Sequence, residues 1–168
     1  GISYEGMKPK DIVFVDSKTK SHGIWKPSSE WRFHFDILKG RKEFDAVVHN
    51  HPAYGTGMSI LGKDIKAYHY MIAFLGGETI KCSTFALPGS QELSDAALKA
   101  LKGRKACLLA NHGTITCGKN LDEAMFLTEE FEILCKQITI AKINGKPQLV
   151  EKKHMKKIIE AIKMYGKY

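Results

Sequence analysis

Apolar residues recur along this chain with two distinct spacings, and the spacing separates helices from strands. Trp31, Phe35 and Leu38 stand at i, i+4 and i+7 between the Pro27-Ser28-Ser29 stretch and Gly40. This predicts a helix over residues 26–38 with those three side chains as its buried stripe. Short apolar runs at 11–16, 44–51, 106–110 and 114–117 predict strands, and a polar turn follows the first of them at 17–21. Small residues over 53–61 predict a second helix, and an amphipathic pattern over 94–102, stopped by Gly103, predicts a third. Asn120-Leu121-Asp122-Glu123 has the character of a capping box and opens a long helix running to about residue 143. A last helix is expected over 154–164, and the apolar stretch 68–74 before Gly76-Gly77 takes no clear assignment. Without repeats, low-complexity tracts or linkers, these elements make one mixed α/β domain.

Composition narrows the class. The chain has 168 residues, 43% of them hydrophobic and 26% charged, enough for one core and an ordinary globular surface. No apolar run approaches a membrane span, so no membrane partner is expected. The formal charge of +8 raises the question of nucleic acid. Lys152, Lys153, Lys156, Lys157 and Lys163 are nevertheless spread over one predicted helix, with no nucleic-acid motif beside them. No nucleic-acid partner is expected; a positive field also favours capture of a small anion. Cys82, Cys107, Cys117 and Cys135 have wide gaps and no Cys-x-x-Cys. The expectation is free thiols in a reducing, cytoplasmic compartment.

The chemistry concentrates in three histidines. In Val47-Val48-His49-Asn50-His51 strand alternation points both imidazoles to one side, and Asn111-His112-Gly113 closes a second apolar run. Three neutral imidazoles with an open fourth position commonly hold catalytic zinc, although a His-x-His pair alone is more often incidental. His22, His34, His69 and His154 join no such pattern. Glu30 is the candidate companion carboxylate, in the first turn of its predicted helix behind Ser28 and Ser29. That helix start offers unpaired backbone N–H groups and two hydroxyls, a cradle for phosphate; serine caps and a first-turn acid are equally ordinary helix punctuation. Tyr70 and Tyr165 are candidate proton donors near an open cleft, although a lone tyrosine is more often a packing residue.

Taken together, Pro27-Ser28-Ser29-Glu30-Trp31-Arg32-Phe33-His34, Ala46-Val47-Val48-His49-Asn50-His51, His69-Tyr70-Met71-Ile72-Ala73 and Asn111-His112-Gly113 resemble the class II aldolase and adducin-head family. Within it the chain is most like the L-fuculose-phosphate aldolase branch, over essentially its whole length. The resemblance implies a single three-layer α/β/α domain over 1–168, built around a central, largely antiparallel mixed sheet. It implies one Zn2+ per subunit on His49, His51 and His112, with Glu30 as displaceable ligand and acid/base. Ser28 and Ser29 match phosphate-binding positions, and Tyr70 and Tyr165 match tyrosines near the aldehyde end of the substrate. The implied reaction is reversible cleavage of L-fuculose 1-phosphate to dihydroxyacetone phosphate and L-lactaldehyde, in a homotetramer with intersubunit active sites. A related reaction of the family is the alternative: cleavage of another deoxyketose phosphate, 4-epimerisation of a pentulose phosphate, or dehydration. Glutamate at position 30 favours the aldolase, and three intact histidines disfavour an adducin-like binding module. The family pattern also has an upstream segment with a Gly-Asn phosphate loop, expected before Gly1, and an aromatic residue where this chain has Pro88.

Overall fold

In a computed structural model, which describes residues 2–164, five strands form one sheet with helices on both faces. The sheet comprises β3 (Ala46–Asn50), β4 (Ile65–Lys66), β5 (Thr79–Cys82), β6 (Ala106–Leu109) and β7 (Gly113–Gly118), in the order β3-β7-β6-β5-β4. Only β5 and β6 run parallel; the other three pairs are antiparallel. A separate small hairpin joins β1 (Phe14–Val15) to β2 (Ser21–His22). The expectation of a largely antiparallel three-layer domain therefore holds.

Side-chain alternation divides the interior into two cores. Cys107 and Leu109 of β6 and Ile115 and Cys117 of β7 face α1 (Trp31–Gly40) and α3 (Gln91–Ala100), against Phe33, Ile37, Leu93 and Ala97. Ala106 and Leu108 face the other way, toward α2 (Ala53–Ile60), α4 (Leu121–Asn144) and α5 (Lys152–Met164). A 3-10 segment, Tyr70–Leu75, fills the space between α4, α5 and β5. Thr114 and Thr116 point into this second layer, where the Thr116 hydroxyl meets that of Thr128 at 2.6 Å. All four cysteines are free, and burial pushes the Cys117 thiol up to about 12.

Several boundaries differ from expectation. The helix expected over 26–38 begins only at Trp31, because residues 28–31 form a turn: Trp31 N–H donates to the Ser28 carbonyl at 3.1 Å. Its buried stripe is Phe33 and Ile37, not Trp31, Phe35 and Leu38. Those three line a cavity of about 1190 Å³ on the outer side of α1, with Trp25 and Ile24. The helix is apolar on both sides, so spacing alone does not say which side meets the sheet. The strand expected over 11–16 shrinks to Phe14–Val15, and the one over 44–51 to Ala46–Asn50. Strands β4 and β5 have no sequence assignment, and β2 takes Ser21 from the end of the expected polar turn 17–21; β2 and β4 are two residues each, and β5 alternates Thr79 and Lys81 with Ile80 and Cys82.

Candidate metal centre

All four groups of the centre reach one end of the sheet, where β3 and β6 finish and β7 begins. His49 projects from β3 on the same side as the core residue Val47, edge-on to the Phe33 ring at 5.1 Å. Its Nδ1 lies 2.9 Å from the Thr114 carbonyl. A carbonyl only accepts, so the proton sits on Nδ1 and the Nε2 lone pair is left for a ligand. His51 follows the last ladder residue, Asn50, and Pro52 then starts the turn into α2. His112 sits in the three-residue loop between β6 and β7, after Asn111 in the left-handed region (φ 54°), which asparagine tolerates better than most residues. Gly113 completes the junction: a Cβ there would stand 2.5 Å from the Asn50 carbonyl oxygen and 2.6 Å from His51 Cδ2. Glu30 immediately precedes α1, with its N–H donating to Ser28 Oγ at 3.2 Å.

From these positions one ligand atom of each of Glu30, His49, His51 and His112 falls within 4.8 Å of all the others. Glu30 Oε2 is 2.9 Å from His49 Nε2, Glu30 Oε1 is 3.2 Å from His112 Nε2, and the Nε2 atoms of His49 and His51 are 3.0 Å apart. Among the described residues no other group of three or more His, Cys, Asp or Glu converges in this way.

The residues fit a divalent cation. Burial pulls His49 and His112 below the usual imidazole range even though the Glu30 carboxylate opposes the shift. The neutral ring so favoured is the form that ligates. Glu30 Oε1 is buried and, although 3.2 Å from His112 Nε2, makes no hydrogen bond, a poor state for a carboxylate oxygen unless a cation takes it up. Three nitrogens and one carboxylate suit zinc and its first-row neighbours; calcium and magnesium prefer oxygen.

The other expected site residues are placed unevenly. Ser28 and Ser29 are exposed at the approach to α1 and border the 1190 Å³ cavity with Lys26, a cation that pattern reading did not single out. Gly89, at φ 78°, lies over Ser29: a Cβ there would be 2.6 Å from the Ser29 carbonyl oxygen. Tyr70, by contrast, lines a separate cavity of about 1090 Å³ with Lys105, Lys119 and Glu123. These residues mark the opposite end of the sheet, where β6 begins and β7 finishes. One chain does not bring Tyr70 to the cluster. Tyr165 lies outside the described residues.

Comparison with known proteins supplies the family. The chain is 43% identical over 166 residues to a 5-methylthioribulose-1-phosphate/5-deoxyribulose-1-phosphate aldolase of Rhodospirillum rubrum, covering 99% of the chain and 75% of that protein. It is 41% identical over 167 residues to the L-fuculose phosphate aldolase of Escherichia coli K12, covering 99% and 78%. A solved L-fuculose 1-phosphate aldolase superposes with a TM-score of 0.92 at 35% identity, covering 97% of this chain and 77% of that one. Residues 1–139 match the Class II Aldolase and Adducin N-terminal domain family, and with these likenesses the chain belongs to that family as an aldolase-like lyase.

Proposed function

We propose that this chain is a zinc-dependent aldolase that reversibly cleaves a ketose 1-phosphate into dihydroxyacetone phosphate and an aldehyde. The convergence of Glu30, His49, His51 and His112 carries the reading, because an imidazole-rich centre with one carboxylate suits carbon–carbon cleavage next to a carbonyl. His49, His51 and His112 would hold one zinc ion per subunit, with Glu30 sharing the remaining position. Such an ion supplies Lewis-acid polarisation of the substrate's carbonyl oxygen.

The chain's own residues supply the rest. Ser28 and Ser29, beside Lys26 and the start of α1, bind the phosphate and fix the three-carbon end of the substrate. In the cleavage direction the hydroxyl on the fourth carbon loses its proton, the bond between the third and fourth carbons breaks, and its electron pair passes to the three-carbon fragment. Glu30 returns a proton to that fragment's carbon and removes it in the reverse reaction. A tyrosine handles the proton on the aldehyde oxygen, and Tyr70 and Tyr165 are assigned this part. Tyr70 is remote from the cluster in its own chain, so the assignment requires a neighbouring copy to supply it, in keeping with a homotetramer whose sites lie between subunits.

L-Fuculose 1-phosphate, giving L-lactaldehyde, is the first substrate reading. The 43% identity to the Rhodospirillum rubrum protein favours a second, a 5-deoxy or 5-methylthio ketose 1-phosphate. The test is coupled detection of dihydroxyacetone phosphate from L-fuculose 1-phosphate, 5-deoxyribulose 1-phosphate and 5-methylthioribulose 1-phosphate. Release from any of them that stops with a chelator and returns with zinc supports the proposal. Release that survives complete metal removal, or none from all three, overturns it.

A further inference from the structure

His51 is the most exposed of the three histidines, and among the described residues its ring has one short polar contact, to His49 Nε2. It lies beyond the end of β3 and one residue before Pro52, the N-cap of α2, so its position is set by how α2 is anchored. The first N–H groups of a helix lack partners within it, and Pro52 has no side-chain acceptor to offer them. The partner comes instead from α4. Glu132 accepts hydrogen bonds from Tyr54 N–H at 2.9 Å and Gly55 N–H at 2.7 Å, one on each carboxylate oxygen. Its negative charge also complements the start of the helix.

We propose that Glu132 is a positioning residue for the metal centre, clamping the N-terminus of α2 and thereby holding His51 in register with His49 and His112. The inference rests on reading the cluster as a metal site. Packing gives the clamp its leverage. A Cβ on Gly55 would stand 2.7 Å from Thr114 Cγ2, so α2 lies directly on the residue whose carbonyl accepts the His49 Nδ1 proton. The Thr114 hydroxyl in turn donates to Asn50 Oδ1 at 2.6 Å, next to His51. Toward the far end of α2, the fully buried Ser59 donates to the Thr56 carbonyl and accepts from His112 N–H at 3.3 Å, while its carbonyl accepts from Asn111 N–H at 3.2 Å. Helix α2 is a strut: His51 leads into one end and the His112 loop hangs on the other. Glu132 fixes the end that, among the described residues, no other side chain caps.

The test measures zinc affinity of the wild type, Glu132→Gln and Ser59→Ala by competition with a chromophoric chelator, together with the visible spectrum after cobalt loading. Glu132→Gln keeps the shape and loses one of the two acceptors. Its zinc affinity is expected to fall ~10- to 100-fold, the usual range for groups that orient metal ligands, with a changed cobalt spectrum. A purely structural role would lower the melting temperature in chelator and leave both readouts as in the wild type; that result overturns the proposal. Should Glu132→Gln fail to fold, Ser59→Ala decides by the same two readouts. A wild type that binds no zinc defeats the metal-centre reading and this inference with it, whereas zinc binding that ignores both substitutions defeats only the inference.

Discussion

Replacing Gly113 by alanine adds one methyl group at the junction of β3, β7 and two candidate ligands. The Cβ would lie 2.5 Å from the Asn50 carbonyl oxygen, at least 0.5 Å inside the 3.0 Å (3.0 minus 2.5) that real Cβ atoms respect. The obstacle is backbone in the β3–β7 ladder, which cannot rotate away as a side chain would. Overpacking of this kind costs about 1–3 kcal/mol. For a domain of this size that is a fall in melting temperature of roughly 2–12 °C. The second clash, 2.6 Å to His51 Cδ2, displaces a ring of the metal centre, so zinc should also stabilise the variant less than the wild type. Gly57→Ala is the control. Gly57 lies within α2, is exposed, and a Cβ there meets nothing within 4 Å. Alanine at that position should stabilise the fold by about 0.5–1 kcal/mol through helix propensity. Thermal unfolding of both variants, with chelator and with zinc, is the assay. Gly113→Ala melting like the wild type, with an equal response to zinc, would refute the close-packed junction.

Glu30→Gln is expected to retain zinc while losing roughly 100-fold or more in turnover, the usual share of a general acid/base; unchanged turnover removes Glu30 from proton transfer. Subunits carrying Glu30→Gln and subunits carrying Tyr70→Phe, each inactive alone, should regain activity when mixed and reassembled, because hybrid sites between copies contain both intact residues; no recovery contradicts a tyrosine donated across the interface. His34 gives a pH test. Burial, reinforced by the charge of His49, lowers it from 6.5 to about 4. Between those values the unfolded chain binds a proton that the folded one refuses, so stability declines as pH falls from 6.5 to about 4. The loss amounts to about 3 kcal/mol at the acid end, and buried His49 and His112 add to it in the same direction. In chelator, His34→Gln should flatten this slope in urea titrations; an unaltered slope shows that His34 does not carry it.

Much of the architecture is legible where local and tertiary signals agree. The capping signal at Asn120 marks α4 correctly: Asn120 Oδ1 accepts from Glu123 N–H at 2.8 Å, and the Glu123 carboxylate accepts from Lys119 N–H rather than from the N-cap's own N–H. The apolar runs of β6 and β7 are similarly plain, because both strands are buried on both faces. Legibility fails where two answers satisfy one pattern. Helix α1 has apolar residues on both sides, and the side holding Trp31, Phe35 and Leu38 borders an open cavity. Strand β5 pairs in parallel with β6, a long-range contact that no local period encodes. Strand alternation puts His49 and His51 on one side, but that His112 and Glu30 join them is read from the family resemblance, since a His-x-His pair alone is more often incidental. The supporting groups, Thr114, Ser59 and Glu132, were not visible: each acts through a backbone atom or from a helix face remote in sequence.

Metal content decides whether Glu30, His49, His51 and His112 form a metal centre. Wild type and His112→Ala, purified identically and dialysed against metal-free buffer, are compared by elemental mass spectrometry after incubation with zinc. One tightly held ion per wild-type chain, and loss of that ion from the variant, is the expected result. Full occupancy in His112→Ala, or an empty wild type, would contradict it.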